Sequence, residues 1–339
     1  MTVPQDRRSF IGGLALAALL PGGCASASPP PPARVGGPWT AFSARFLSPD
    51  GRIVDTGNGG ISHSEGQGYG MLLAEAAGDR AGFDRLWAWT SHALSRTDVR
   101  LFSWRFDPAA ANPVGDPNDA SDGDILIAWA LLRASLRWKV GEYGQQSAAI
   151  RGAIRKHLIR QVGARTVLLP GIAGFDTPGL LTLNPSYYIW PALDAFLAAD
   201  GAAAWGAVLR DGEQILAEAR FGTHKLITDW IEIDSAGVRP ARGKPPQFGF
   251  DAVRVPLYLA WGKRRAALAP FRDFWSDCLT RHVAIPAWID VVSGAQAPYA
   301  LSDGGMAVVD ITLGRRPRSA RGGDYFSTAL GALAALAAT

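Results

Sequence analysis

The sequence has little of what metal, redox and nucleotide sites need. Its 339 residues include only two cysteines and five histidines, and the histidines do not fall at metal-ligand spacings. No Gly-x-Ser-x-Gly segment occurs, and the glycine-rich segments lack the strand-then-helix setting of a phosphate-binding loop. We therefore expect neither a metal nor a cofactor, and a serine nucleophile is disfavoured.

Charge is also scarce. Charged residues make up 19% of the chain and the net charge is +4. The densest basic stretch, "GRRPRSAR" (314–321), is too short to form a basic stripe, so we expect no nucleic-acid partner.

The N-terminus has the pattern of an export signal. A twin-arginine pair, Arg7-Arg8, precedes the apolar run "GGLALAALL" (12–20), and Ala-Ser-Ala at 25–27 fits a cleavage site. The apolar run is too short to span a bilayer as a helix. The sequence therefore predicts a periplasmic or secreted protein with no membrane span in its mature form.

This pattern sets the expected domain boundaries. We expect a signal peptide over 1–27, a proline-rich tether over 28–38 and one catalytic domain over 39–339. A lipid tether at Cys24 is the alternative, although "LPGGC" is a poor lipidation motif. Cleavage would leave only Cys278, which excludes an internal disulfide.

Helical periodicity recurs along the rest of the chain, whereas β-branched alternation is scarce. Only 51–57 and 225–234 look like short strands or hairpins. Many helices joined by long loops predict helix pairs closed into a ring. The predicted helices are 40–46, 66–78, 81–95, 122–138, 143–162, 186–199, 203–219, 249–261, 265–281, 303–313 and 324–337.

Four acidic residues, at three places in the chain, stand out by their setting. Glu65 lies in "SEGQGYG", where three glycines suggest that a substrate comes close to the backbone. Asp122 and Asp124 open the apolar segment "DGDILIAWALL", where favourable contact with a helix N-terminus is the simpler explanation. Asp251 lies in the apolar run "FGFDAVRVPLY", one turn before Arg254, and a buried ion pair is the structural alternative.

Glycoside hydrolysis requires a pair of carboxylic acids with different protonation states. One acid protonates the leaving oxygen, and the other activates water or attacks the sugar. The three acidic positions make this chemistry the best match among those considered.

Five segments carry a resemblance to a known family. They are "SEGQGYGM" (64–71), "ASDGDILIAWALLRASLRW" (120–138), "NPSYY" (184–188), "TDWI" (228–231) and "FDAVRVPLY" (250–258). Together they resemble the motifs of glycoside hydrolase family 8, and the likeness covers nearly the whole chain after the signal. The closest likeness is to the periplasmic endoglucanases that accompany bacterial cellulose synthase.

The resemblance implies an all-α (α/α)6 barrel with long loops and a few short strands. It also implies an inverting endo-hydrolase acting on a β-1,4-glucan chain. Glu65 would then be the general acid and Asp251 the general base, with the two carboxyl groups about 6.5–9.5 Å apart. To keep its proton, Glu65 should be partly buried.

The resemblance also implies substrate-binding and water-positioning residues. Asp122 would bind and distort the sugar ring, while Tyr187 would hold the nucleophilic water with Asp251, and Arg254 would fix that base. Trp104 would be a stacking platform. Trp230 and Tyr325 are further candidates to line the cleft.

Other functions stay open at this point. The same chemistry on xylan, chitosan or mixed-linkage glucan is one alternative, and a glucan-binding protein that does not cleave is another. A polysaccharide lyase is disfavoured by the mild net charge and by the acidic residues at the predicted site. A partnership with the cellulose synthase machinery rests on the resemblance alone.

Overall fold

The computed structural model describes residues 37–319 and 322–339, and within them all eleven predicted helical segments contain a helix. The predicted signal segment, Cys24 and most of the predicted tether lie outside the described residues. The helices are α1 (Pro38–Phe46), α2 (Ser64–Ala77), α3 (Arg80–Ala93), α4 (Ser121–Trp138), α5 (Gly141–Leu158), α6 (Trp190–Asp200), α7 (Ala202–Glu218), α8 (Arg254–Trp261), α9 (Ala269–Thr280), α10 (Asp303–Thr312) and α11 (Tyr325–Ala337).

Six of these helices close into an inner ring. In order around the ring they are α2, α4, α6, α8, α10 and α11, and α11 returns to contact α2. Each of the other five described helices packs on the outside of a ring helix. α11 is buried over most of its length, as the apolar sequence of the last segment predicts. The predicted (α/α)6 barrel is confirmed.

The glycines around Glu65 have a different role from the one expected. A Cβ at Gly66 would lie 2.5 Å from the Tyr325 hydroxyl, and one at Gly68 would overlap the Leu126 side chain on α4. On the facing helix, a Cβ at Gly123 would lie 2.8 Å from the Glu65 nitrogen. These glycines therefore let α2 approach α4 and α11, which brings the first turns of α2 and α4 together. The expectation that the glycines around Glu65 make room for substrate is wrong for Gly66 and Gly68.

The strands are short and lie in the loops at the helix ends. A four-stranded antiparallel sheet has the order β10-β9-β8-β7, and four antiparallel pairs join β1 to β4, β2 to β3, β5 to β6 and β11 to β12. Their bounds are β1 (Ser62–His63), β2 (Ser95–Arg96), β3 (Leu101–Phe102), β4 (Arg105–Phe106), β5 (Ile159–Val162), β6 (Arg165–Leu168), β7 (Asp176–Thr177), β8 (Leu180–Leu183), β9 (Ile231–Asp234), β10 (Gly237–Pro240), β11 (Gln247–Phe248) and β12 (Ile289–Asp290).

Several predicted boundaries differ from the structure. The helix predicted over 143–162 ends at Leu158, because β5 pairs with β6 around Gly163, whose φ is +58°. The helix predicted over 249–261 begins only at Arg254. The strand predicted over 51–57 forms only isolated bridges, and of 225–234 only the second half is a strand.

Two further observations concern the predictions on export. Among the described residues, no helix combines the length and apolar character that crossing a membrane requires. Cys278 is buried and its thiol is free.

Candidate active site

Arg254 is the centre of a group of acidic side chains brought together from three inner helices. It is the first residue of α8 and is 4% exposed. Its Nη2 donates to Asp251 Oδ1 at 2.5 Å, and its Nη1 donates to Asp122 Oδ2 at 3.3 Å. Nη1 also forms an ion pair with Glu65 Oε1. One guanidinium therefore binds three of the four predicted acids. We name Arg254, Glu65, Asp122 and Asp251 the Arg254 cluster.

Glu65 lies in the first turn of α2 with its side chain 16% exposed. The Tyr69 hydroxyl, one turn along the same helix, donates to Glu65 Oε1 at 2.8 Å. His63 Nδ1 lies 3.8 Å from the other carboxylate oxygen and accepts the Gly66 N–H, so the imidazole caps the helix that carries Glu65. The result is a partly buried acid whose Oε1 is held by Tyr69 and Arg254.

Asp122 and Asp124 share the first turn of α4 but serve different contacts. Asp122 is 3% exposed and faces Arg254, and its Oδ1 accepts the Gly123 N–H. Burial and the charge of Asp251 raise the pKa of Asp122 to about 7. Asp124 instead accepts the N–H of Phe102 and so anchors β3 against α4. The N-cap is Ala120, so neither side chain is the cap itself, but both acids lie in the first turn, where they favourably meet the helix N-terminus.

Asp251 lies in the turn that precedes α8, and it is the most exposed acid of the Arg254 cluster, at 30%. Its Oδ2 accepts a hydrogen bond from the side chain of Asn184 at 3.1 Å. Burial raises the pKa of Asp251 to about 6, although hydrogen bonds from Asn184 and Trp230 and the charge of Lys244 favour its ionised form. A partly exposed carboxylate held on both oxygens is suited to act on water or substrate.

Tyr187 and Trp230 form an aromatic wall next to these acids. The Tyr187 ring lies 5.9 Å from the Arg254 guanidinium carbon and 6.3 Å from the Trp230 ring. Burial, together with the charges of Asp122 and Asp251, raises the pKa of the Tyr187 hydroxyl well above its usual value. The structure therefore brings both predicted aromatic residues to the Arg254 cluster.

Trp104 and Tyr325 take different positions. Trp104 lies in the loop between β3 and β4, is half-buried, and donates its indole N–H to Asp116 at 2.8 Å. Its carbonyl accepts the N–H of Ser64, so it adjoins the segment that carries Glu65. Tyr325 is 1% exposed and its ring packs against that of His63. It therefore supports the segment that carries Glu65 and presents almost no surface to a cleft.

Sequence reasoning missed four residues that complete the site. Tyr69 and Tyr258 have their hydroxyls 3.2 Å apart and join Glu65 to α8. Asn184 binds Asp251, and Asp229 binds the backbone of the turn that contains Asp251. Asn184 and Asp229 lie inside motifs that carried the resemblance, and Tyr69 lies one helical turn from Glu65. Tyr258 ends the motif "FDAVRVPLY", so each of the four positions had a signal in the sequence.

Comparison with known proteins identifies the family. The model of the glycosyl hydrolases family 8 matches residues 13–339. The chain belongs to glycosyl hydrolase family 8.

Relatives in this family are similar over most of their length. A probable endoglucanase from Novacetimonas hansenii is 43% identical over 311 residues, which cover 89% of this chain and 90% of the relative. The crystal structure of the Klebsiella pneumoniae endoglucanase Cel10 superposes with a TM-score of 0.86 at 42% identity, covering 89% of this chain and 98% of that one. The endo-β-1,4-glucanase CMCax of Acetobacter xylinum gives 0.84 at 41%, covering 88% and 96%.

The chemistry available to this family 8 site follows from its geometry. The Arg254 cluster has three acids for one cation, and burial raises the pKa of two of them. Carboxyl groups that titrate near neutral pH are the kind of group that the proton transfers of glycoside hydrolysis need. Glu65 and Asp251 approach Arg254 from different parts of the chain, helix α2 and the turn before α8.

Proposed function

We propose that this chain is an endo-β-1,4-glucanase that hydrolyses cellulose-type glucan with inversion at the anomeric carbon. The observation that carries the proposal is the contact of one guanidinium, Arg254, with Glu65, Asp122 and Asp251. The endoglucanase names of the relatives support the substrate class.

The proposed reaction uses two carboxyl groups in one displacement. Glu65 donates its proton to the glycosidic oxygen as the bond to the anomeric carbon breaks. Asp251 takes a proton from the water that attacks that carbon from the opposite face of the ring, with Tyr187 helping to hold the water. A separation of about 6.5–9.5 Å between the two carboxyl groups stays a prediction of this mechanism.

The other residues would bind the chain or hold the acids. Asp122 would bind the distorted sugar next to the scissile bond. Trp104 and Trp230 would provide flat surfaces for pyranose rings. Tyr325, which is buried beneath the Glu65 segment, fits a supporting role better than a platform.

The test is release of reducing sugar and loss of viscosity on carboxymethylcellulose, with xylan and chitosan assayed alongside, for wild type and Glu65→Gln. A rapid viscosity drop on the cellulose derivative alone, abolished in the variant, is the expected result. Cleavage of xylan or chitosan alone would agree with the proposed chemistry but would refute the proposed substrate. Retained glucan binding without any cleavage would overturn the enzyme and favour a glucan-binding protein.

We also propose that the chain is exported and acts alongside cellulose synthase. The twin-arginine segment and the tether, or Cys24 if it is lipidated, support export. Fractionation of cells expressing wild type and an Arg7→Lys/Arg8→Lys variant tests the export part of this proposal. Periplasmic protein that disappears in the variant is expected, and wild-type protein confined to the cytoplasm would contradict export.

A further inference from the structure

Asp229 holds the turn that carries Asp251. It lies in the loop just before β9, where its Oδ1 accepts the N–H of Gly249 at 3.0 Å and the N–H of Ala252 at 2.7 Å. These two amides lie on either side of Asp251 in the chain. A single carboxylate oxygen therefore fixes both ends of the turn that presents the base.

The turn is packed directly on this carboxylate. Gly249 has no side chain, and a Cβ there would lie 2.8 Å from Asp229 Oδ2. The Asp229 N–H donates to the carbonyl of Gln247 at 2.7 Å, so the two segments are also joined through their backbones. The position of the turn thus depends on both the side chain and the main chain of Asp229.

The same turn also sets the start of α8. The Val253 N–H donates to the Gly249 carbonyl, and the Arg254 N–H donates to the Asp251 carbonyl, both at 3.0 Å. A shift of the turn would therefore move Asp251 relative to Asn184 and Arg254, the two residues that hold its carboxylate.

The charge environment of Asp229 differs from that of a structural ion pair. Within residues 37–319 and 322–339, no arginine or lysine forms an ion pair with it. Burial and the nearby charge of Asp251 raise its pKa to about 7. Its carboxyl oxygen can accept the two N–H groups whether the group is ionised or neutral.

We propose that Asp229 is a positioning residue for the general base: its side chain holds the Gly249–Ala252 turn so that Asp251 stays in line with the attacking water. The proposal rests on the role of Asp251 under the proposed function. Asp229 itself does not exchange a proton with water or substrate in this account.

The first test compares Asp229→Ala with Asp229→Asn on carboxymethylcellulose. The alanine removes the acceptor, and we expect kcat to fall about 10- to 100-fold with KM within about 3-fold of wild type, because misplacement of a catalytic group lowers kcat more than binding. Asparagine keeps an acceptor oxygen and should restore kcat to within about 5-fold of wild type. Asp234→Ala is the matched control, since Asp234 also accepts a backbone N–H but pairs with Arg239 away from this turn.

The second test uses the close contact between Gly249 and Asp229, and its first arm leaves Asp229 in place. Gly249→Ala places a methyl against Asp229 Oδ2, so it should lower kcat in the wild-type background. In an Asp229→Ala background the clash is gone, and the same substitution should cost much less. Additive losses in this cycle would overturn the proposal.

The outcomes separate this inference from the proposed function. Wild-type protein with no activity on any glucan would refute the function and leave no base to position. Active wild type with an unchanged Asp229→Ala would overturn Asp229 alone. Equal losses in the alanine and asparagine variants would show that the carboxylate charge is needed, which also contradicts a positioning role.

Discussion

Two groups of buried charged side chains in this chain have opposite ratios of acid to base. In the first, Asp200 at the end of α6 binds two guanidinium groups: Arg151 donates to both of its oxygens at 2.8 and 2.9 Å, and Arg155 donates at 3.2 Å. The Trp205 indole adds a fourth donor. Hydrogen bonds from Arg151 lower the pKa of Asp200, with Trp205 and both arginines contributing. These four residues are the Asp200 cluster.

The Arg254 cluster reverses that ratio. One guanidinium serves three carboxyl groups, and burial raises the pKa of Asp122 and of Asp251 to about 7 and about 6. An excess of cation lowers the pKa of an acid that joins α5, α6 and α7. A shortage of cation produces acids that hold protons near neutral pH. The difference explains why one cluster suits stability and the other suits proton transfer.

The largest expected effect is on catalysis at the Arg254 cluster. Glu65→Gln and Asp251→Asn, made separately, should each lower kcat on carboxymethylcellulose by about 10²–10⁴-fold, because each removes one acid–base group. Both changes preserve side-chain size, so circular dichroism and the melting temperature should remain close to wild type. Near-normal rates in either variant would refute its assigned role.

At the Asp200 cluster we expect a loss of stability without a loss of activity. Asp200→Ala leaves Arg151 buried without its partner, and it should lower the free energy of unfolding by about 3–5 kcal/mol. Its kcat should be unchanged. Asp194→Ala on the same helix is the matched control, because the Asp194 side chain is 41% exposed and its pair with Arg264 should contribute less than about 1 kcal/mol. Urea denaturation of both variants measures the two free energies of unfolding. Equal losses of stability in Asp200→Ala and Asp194→Ala would contradict the role given to the Asp200 cluster.

The pH dependence of stability should have opposite signs at the two clusters. The pKa of Asp122 is raised to about 7 in the folded chain, so between about pH 4 and 7 the folded state holds a proton that the unfolded state has lost. The contribution of Asp122 to stability therefore falls as pH rises through this window. The contribution of Asp200, whose pKa is lowered, is present above about pH 4 and is lost as pH falls below it.

Asp122→Asn tests this sign directly. Relative to wild type, its free energy of unfolding should rise by roughly 1–3 kcal/mol between pH 4 and pH 7, since asparagine has no proton to lose. Denaturation curves at several pH values measure the difference. A difference that stays flat across the window would show that Asp122 titrates normally.

The smallest expected effect concerns binding outside both clusters. Trp104→Ala should raise KM for long chains roughly 3- to 10-fold with little change in kcat, in keeping with the loss of one aromatic contact. The melting temperature should change little, because Trp104 is only half-buried. Loss of folding in this variant would make Trp104 a core residue and end the platform assignment.

The sequence was most informative about the helices. All eleven predicted helical segments contain a helix, because the apolar face of each is long enough to set a clear period. The predicted helix boundaries were wrong where tertiary contacts override the helical period of the apolar residues. Residues 249–253 read as helix from their apolar pattern, but the hydrogen bonds to Asp229 hold them in a turn.

The site was predictable as a set of residues but not as a geometry. Glu65, Asp122 and Asp251 stood out because each lies next to apolar or small neighbours. That one guanidinium joins all three depends on how α2, α4 and α8 pack, which no local pattern reveals. The role of Gly66 and Gly68 was misread for the same reason, since sequence cannot show whether a glycine faces a substrate or another helix.

The pH profile of kcat/KM on a soluble cello-oligosaccharide tests the central claim most directly, because it reports the pKa values of the free enzyme's essential groups. Burial raises the pKa of the base Asp251 to about 6. The account therefore predicts that kcat/KM falls about tenfold per pH unit below about pH 6, in wild type and in Asp200→Ala alike. A value of kcat/KM that stays level down to pH 4 would contradict it, because the base would then have the pKa of an ordinary aspartate.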